Sequence, residues 1–378
     1  MENEKALPRG LFYNTSPLGL GHLQRSLYLS KWLLSSFKID YLLGSLPLLP
    51  MPESPNFTLL ELPPLTMPCD GAPLQDPRNE KSEQEIRLLR KEYIKKNITK
   101  KYDFFICEHF PFGRIGLQSE ILFLIHTIKS KNPSCLITCS FRGEKKIPQG
   151  LIQNTEALLQ NVFDFIFVHI DPEATPPFDL LDLFLKFRKK IYFTGVVVDP
   201  LEAKRERKNS NQIIVSMGTG TYGDEFIRLL LKTAPLLKDY DFHFVIGPKI
   251  QDSLKKEIEE RAIKEKNVIL SPFTSRFIDK LKESALSISF GGAGTISDVL
   301  QTRVKALVYP HPSQDDQIER VRKLKAKGLV SEVLANDLSE ERLKSLILEA
   351  LNKPSSTSSI QLTGGLNTLK KLQELLSS

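Results

Sequence analysis

Ser289-Phe-Gly-Gly-Ala-Gly-Thr-Ile-Ser-Asp-Val-Leu300 decides how this chain is read: an apolar strand runs into a glycine turn, and the turn opens directly into a helix. Glycine lets the backbone bend tightly at Gly291, Gly292 and Gly294. It also leaves the first helical N–H groups open to an anion, which the positive end of the helix dipole favours. Ala293 completes the turn, Thr295 adds a hydroxyl, and Asp298, one turn on, is an acceptor suited to ribose hydroxyls. The plainer reading is a structural strand-to-helix turn capped by Thr295.

Two further segments of the same half stand in the same relation to a strand. Ser216-Met-Gly-Thr-Gly-Thr-Tyr-Gly223 places Gly218, Thr219 and Gly220 between a strand and a helix, and His311-Pro-Ser-Gln-Asp-Asp-Gln317 follows another strand. Ligands of doubly wound sheets sit at the carboxyl ends of the strands, so the two glycine turns can face one diphosphate. Gln314, Asp315, Asp316 and Gln317 offer amides and carboxylates to sugar hydroxyls, although the same string also reads as a solvated helix start. Neither glycine turn is a P-loop and neither completes GxGxxG.

The first half carries two polar post-strand loops. Ser16-Pro-Leu-Gly-Leu-Gly-His-Leu-Gln-Arg25 joins the first strand to the first long helix. His22 falls in that helix's first turn, where the dipole disfavours imidazolium and keeps a neutral base available; Arg25 follows one turn on, and Gly19 and Gly21 open the loop. Glu108-His-Phe-Pro-Phe-Gly-Arg114 sets a carboxylate, an imidazole and a guanidinium after a second strand. Its plainer reading is a proline turn with Phe110 and Phe112 packed inward.

Around these loops, short apolar runs alternate with longer amphipathic ones twice over, the pattern of parallel sheets flanked by helices. Strands are read at 10–14, 39–43, 104–108, 135–140 and 165–168, then at 212–216, 241–246, 268–270, 286–289 and 306–309. Helices fall between them, the clearest over 20–37. This gives an α/β chain of two Rossmann-like domains, 1–198 and 212–352. A charged linker over 199–211 joins them, 46–77 forms a proline-rich surface excursion, and a serine-rich break at 355–359 precedes a closing helix over 360–378. A length of 378 residues suits two cores. Apolar residues at 41% and charged residues at 26% exclude disordered and disulfide-scaffold classes. The four cysteines, Cys69, Cys107, Cys135 and Cys139, make no CxxC pair and no zinc spacing, so they read as reduced thiols. No secretory leader and no run of about 18 apolar residues is present, which points to the cytoplasm. The net charge of +7 identifies no partner by itself.

Asp239-Tyr-Asp241 matches a DxD metal motif in form but precedes a strand, at the wrong end for a ligand. The segment Phe178-Asp-Leu-Leu-Asp-Leu-Phe-Leu-Lys-Phe187, with Arg188, Lys189 and Lys190 behind it, could rest on a membrane. An ordinary core helix is the competing reading. No nucleic-acid module is found.

The layout resembles GT-B glycosyltransferases of the MurG type, best along Gly19-Leu-Gly-His-Leu-Gln-Arg25, Phe290 to Leu300 and Gln314-Asp-Asp-Gln317. The Phe-Pro-Phe-Gly-Arg run at 110–114 looks closer still to bacterial proteins described only as predicted glycosyltransferases. The resemblance implies a UDP-sugar held by the C-terminal domain, the acceptor by the N-terminal domain, and chemistry in the cleft between them with no cofactor and no metal. It puts Gly218 to Gly220 and Gly291 to Thr295 on the diphosphate, Asp298 on the ribose where such enzymes have glutamate, Phe273 by the uracil and Gln314 to Gln317 on the sugar. It makes His22 the acceptor-side base, and the loop and strand order read above sets Gly19, Gly21, Arg25, Glu108 and Arg114 on that acceptor side. Arg320-Val321 stands where such enzymes have an Asn-Ala pair, and Lys305 replaces a common proline.

The sequence expectation is therefore an inverting, metal-independent transfer of a hexose or N-acetylhexosamine from a nucleotide sugar to a lipid- or glycan-linked acceptor, in the cytoplasm or at the inner face of the membrane. Two alternatives stay open: hydrolysis of the nucleotide sugar with His22 as base, and a non-catalytic sugar-nucleotide-binding protein.

Overall fold

Apolar side chains of the first half fall on both faces of each strand, as a parallel sheet covered by helices on both sides demands. Leu11, Tyr13, Phe105, Cys107, Ile137, Cys139, Ile166 and Val168 pack into one core layer, and Phe12, Phe104, Ile106, Phe165 and Phe167 into the other. The structure is a computed structural model that describes residues 7–17, 19–67, 72–143, 147–175, 177, 180–200, 210–216, 218, 220, 223–274, 276–354, 356 and 358–377. Most of the expected linker, together with Thr219, Cys69, Phe178 and part of the serine-rich break, lies outside the described residues.

The chain divides into two compact units, Met1–Pro200 with Gln361–Ser378, and Leu201–Ile360. In the first, strands β1 (Arg9–Asn14), β2 (Lys38–Leu43), β3 (Phe57–Glu61), β4 (Phe104–Glu108), β5 (Leu136–Phe141), β6 (Phe165–Val168) and β7 (Ile191–Phe193) form one sheet in the order β3-β2-β1-β4-β5-β6-β7. Every pairing in it is parallel. Helices α1 (Gly21–Leu33), α2 (Glu83–Asn97), α3 (Gln118–Lys131), α4 (Ile152–Asn161) and α5 (Leu181–Lys186) supply crossovers. The second unit arranges β8 (Gln212–Ser216), β9 (Asp241–Val245), β10 (Val268–Ser271), β11 (Leu286–Phe290), β12 (Lys305–Tyr309) and β13 (Ser331–Glu332) as β10-β9-β8-β11-β12-β13, again all parallel. Its helices are α6 (Asp224–Thr233), α7 (Asp252–Lys264), α8 (Phe277–Lys282), α9 (Ala293–Thr302), α10 (Asp315–Ala326) and α11 (Glu340–Asn352). Strand order reverses beside β1 and β4 in the first unit and beside β8 and β11 in the second. Those are the switch points at which doubly wound sheets leave a crevice.

The closing helix α12 (Gly364–Ser377) belongs to the first unit, where Leu369 and Leu372 join the core layer under α1. The Trp32 indole of α1 donates to the Val198 carbonyl at 2.9 Å, and Val196 N–H donates to the Gln361 carbonyl at 2.8 Å, fastening the returning chain. The proline-rich excursion is less irregular than its composition suggests, since it contributes β3 at the sheet edge. It is tied down by Arg90, whose fully buried guanidinium donates to both Glu120 oxygens at 2.6 and 2.8 Å and to the carbonyls of Gly44 and Pro63 at 3.0 and 2.6 Å. Cys107, Cys135 and Cys139 are free, buried thiols. Asp241 opens β9 at its amino end. Among the described residues no helix is long and apolar enough to cross a membrane.

Candidate functional site

In the first unit the polar loops meet at the carboxyl ends of β1 and β4. α1 starts with Leu20 at its N-cap and no side-chain cap, so His22 sits in a first turn whose N–H groups point past it. Asn14, the last residue of β1, donates through Nδ2 to the His22 carbonyl at 3.2 Å and to Ser26 Oγ at 2.7 Å, which fixes that turn on the sheet. Glu108, the last residue of β4, is 1% exposed and accepts at Oε1 from His22 Nδ1 at 2.8 Å and from the Arg25 guanidinium, which is itself buried. Its other oxygen accepts from Ser140 Oγ at 2.8 Å.

The next residue, His109, adopts a left-handed backbone at φ 71°, and Arg114 closes the loop at φ 62°. Non-glycine residues held there cost about 1–3 kcal/mol each, a cost found mostly at functional loops. The His109 ring packs edge-on to His22 with centroids 4.6 Å apart. Gly113 makes this possible, since a Cβ there would lie 2.5 Å from the His109 ring. Phe110 and Phe112 are buried in the core, as the plainer reading of this loop expects. The Cβ position of Gly19 faces open space.

Burial and the nearby charges shift both groups. Burial, and then the nearby His109, Arg114, Arg25 and Arg142, hold the His22 imidazole well below its ordinary value, so it is neutral near pH 7. Burial pushes the Glu108 carboxyl up, and Arg25, the Ser140 hydroxyl, Arg114 and Arg142 oppose the rise. With Nδ1–H spent on Glu108, the second ring nitrogen of neutral His22 carries a lone pair. A neutral imidazole braced by a buried carboxylate is the constellation of a general base.

In the second unit, the β11 turn reaches α9 through Gly292, its N-cap, with no side chain capping the helix. Thr295 thus does not cap the helix. A Cβ at Gly292 would meet nothing, whereas one at Gly291 would lie 2.8 Å from Val321 Cγ2 and 3.1 Å from Gln317 Cβ. Glycine at 291 therefore lets the turn press against α10. The departing pair Arg320-Val321 forms the other side of this contact. Arg320, 3% exposed, donates to the Gly291 carbonyl and to Asp316 Oδ2 at 3.0 Å, tying the glycine turn to the start of α10. Gln317 Oε1 accepts from the His311 N–H at 3.3 Å, Gln314 is the α10 N-cap, and Asp315 is exposed. Phe273 is half-buried, just beyond β10. Gly218 and Gly220, at φ 59° and 81°, turn the chain after β8, while Thr219 between them lies outside the described residues. Asp298 is 2% exposed, on the inward stripe of α9 with Ile296, Val299 and Leu300, so it is set into the unit's packing and not at its surface. No cluster of metal-ligating side chains occurs among the described residues.

Four polar residues at this end of the first sheet escaped the sequence reading: Ser140, Arg142, His169 and Thr194. Ser140 is the penultimate residue of β5, and His169 and Thr194 immediately follow β6 and β7. A polar residue at the carboxyl end of each successive parallel strand was the available signal.

Residues 212–375 match the glycosyltransferase family 28 C-terminal domain. The chain is 26% identical over 125 residues to a UDP-N-acetylglucosamine--N-acetylmuramyl-(pentapeptide) pyrophosphoryl-undecaprenol N-acetylglucosamine transferase of Oenococcus oeni, covering 32% of this chain and 34% of that one. It is 28% identical over 172 residues to the same kind of transferase from Sulfurovum, covering 44% and 47%. These matches span between about a third and half of the relatives' own length. The crystal structure of Acinetobacter baumannii MurG superimposes with a TM-score of 0.55 at 14% identity, over 97% of this chain and 100% of that one. Residues 212–375 thus match a glycosyltransferase family 28 C-terminal domain, and the chain has a MurG-like GT-B fold.

Proposed function

We propose that this protein transfers a sugar, a hexose or N-acetylhexosamine, from a UDP-sugar to a hydroxyl of a lipid- or glycan-linked acceptor, with inversion and without a metal ion. The observation that carries the reading is the His22–Glu108 pair, a half-buried neutral imidazole held at 2.8 Å by a buried carboxylate in a loop at a sheet switch point. The donor half rests on the family 28 domain and on the UDP-N-acetylglucosamine transferases it resembles.

In this reading the first unit supplies the base. The second ring nitrogen of His22 takes the acceptor's hydroxyl proton as the oxygen bonds to the anomeric carbon, and Glu108 stabilises the imidazolium that forms. The bond from that carbon to the diphosphate breaks as the new one forms. The uncapped N-terminus of α9, with Gly291, Gly292, Ala293, Gly294 and Thr295, stabilises the departing charge, aided by Gly218, Thr219 and Gly220. Gln314, Asp315, Asp316 and Gln317 are proposed for the sugar and Phe273 for the uracil. Asp298 is proposed for the ribose on its place in the motif alone.

The test is a panel of labelled UDP-sugars offered with and without a membrane lipid extract, in the presence of EDTA. Acceptor-dependent release of UDP supports the proposal. Release without acceptor would identify a hydrolase instead, and a requirement for manganese would overturn the metal-free step.

A further inference from the structure

Glu108 is one end of a buried chain of polar side chains that runs across the sheet, strand by strand. Ser140 Oγ on β5 donates to Glu108 Oε2 at 2.8 Å, Ser140 Oγ meets His169 Nε2 at 3.1 Å, and His169 Nδ1 meets Thr194 Oγ1 at 2.8 Å. Ser140 and Thr194 are fully buried and His169 is 3% exposed. The far end is anchored in turn: the Thr194 carbonyl accepts from Asn367 Nδ2 of α12 at 2.8 Å. A fold needs no such chain at a sheet end, since apolar side chains of similar volume would serve stability as well or better.

Counting hydrogens gives the chain a direction. Ser140 has one hydroxyl hydrogen, and Glu108 takes it. His169 must then donate to Ser140 from Nε2. Burial holds His169 well below its ordinary value, so it is neutral and has no second N–H. Its Nδ1 is accordingly an acceptor, and the Thr194 hydroxyl turns its hydrogen there, away from the Gly195 carbonyl at 2.9 Å. Each link forces the next. Reversing the chain would aim a Ser140 lone pair at Glu108 Oε2, which disfavours the carboxylate and leaves Oε1 only the weaker, neutral acceptor of a protonated carboxyl for His22.

We propose that Ser140, His169 and Thr194 are positioning residues: they hold Glu108 as an ionised acceptor and thereby lock His22 in the Nδ1–H tautomer that leaves its other nitrogen as the base. The inference rests on the reading of His22 as base, and the tautomer it concerns is a property of the protein without substrate.

The experiment joins both levels. ¹⁵N-histidine spectra of the free protein report which nitrogen of His22 carries the proton, with His22→Ala used to assign the signal. The wild type shows Nδ1–H; His169→Phe, which keeps the shape but loses both nitrogens, and Ser140→Ala each give a mixture of tautomers. His169→Gln, which keeps a donor toward Ser140, restores the wild-type spectrum. In turnover with the best donor and acceptor, the Phe and Ala variants lose roughly 10- to 100-fold in kcat with KM for the donor unchanged, the loss of one hydrogen bond to a charged group. The double variant loses no more than either single one, because the chain acts as a unit. An unchanged His22 tautomer in both His169→Phe and Ser140→Ala overturns the proposal whether or not turnover is found. If the tautomer shifts but His22→Ala retains full activity, the base assignment fails while the positioning of His22 stands. Should His169→Phe not fold, Ser140→Ala and His169→Gln decide the matter alone.

Discussion

Replacing Glu108 by glutamine removes one charge and almost no volume from the centre of the first-unit site. The carboxylate accepts from His22 at 2.8 Å, from Arg25 and from Ser140, and its side chain is wholly buried. During transfer His22 becomes an imidazolium beside it. A full charge pair at 2.8 Å with an effective dielectric constant near 20 is worth about 6 kcal/mol by Coulomb's law, and a half-developed charge about 3 kcal/mol. Glu108→Gln should therefore lower kcat by between about 10²- and 10⁴-fold. The glutamine oxygen can still accept from Arg25, so donor affinity should hold and the melting temperature should fall only modestly. The assay is steady-state release of UDP at saturating acceptor, paired with a thermal melt and a donor titration. A folded Glu108→Gln protein with kcat within about threefold of wild type would refute the dyad, because no other described group accepts from His22 Nδ1.

Four other outcomes follow from the same structure. Because the folded-state pKa of His22 is depressed and the neutral ring is the active form, kcat/KM should be flat through pH 7 and fall only below about 6.5, as protons bind the base; an acid limb centred above pH 7 contradicts this. Depressed His22 and His169 also mean that the unfolded chain binds protons the folded one does not, so stability should decline as pH drops below about 6.5, measurable by urea unfolding at pH 5.5 and 7.5. Gly291→Ala puts a methyl 2.8 Å from Val321 Cγ2 and should cost about 1–3 kcal/mol together with donor affinity, both partly restored by adding Val321→Ala. Arg90→Ala strands the buried Glu120 carboxylate and should destabilise the first unit by about 3–5 kcal/mol in chemical denaturation.

Much of this was legible in the residues because glycine turns and apolar runs are local signals. The strands leading into Asn14, Glu108, Ser216 and Phe290 stand where periodicity placed them, and strand order then puts their loops at the switch points. Less local features were hidden. β3 lies in a stretch whose prolines read as loop, and it is held by Arg90 from a helix far along the chain. Apolar periodicity carries the first helix to residue 37, but it ends at Leu33, where the chain turns tightly before β2. Ser140 and His169 looked like ordinary strand ends, since only pairing β4, β5 and β6 side by side lines them up with Glu108. Arg320 was legible only as a departure from the family pattern, yet it braces the glycine turn by reaching a backbone carbonyl, a contact that spacing cannot reveal. Asp298 shows the opposite limit: the motif marks it as a ligand group, while helix phase turns it inward.

The central claim is that His22 is the base of a sugar transfer, and the most direct test is a single turnover of labelled UDP-sugar with a competent acceptor by wild type and His22→Ala. The account predicts that His22→Ala binds the donor with wild-type affinity and forms no glycosylated product on the timescale on which wild type converts all of it. Product formed by the variant at the wild-type rate would contradict the account.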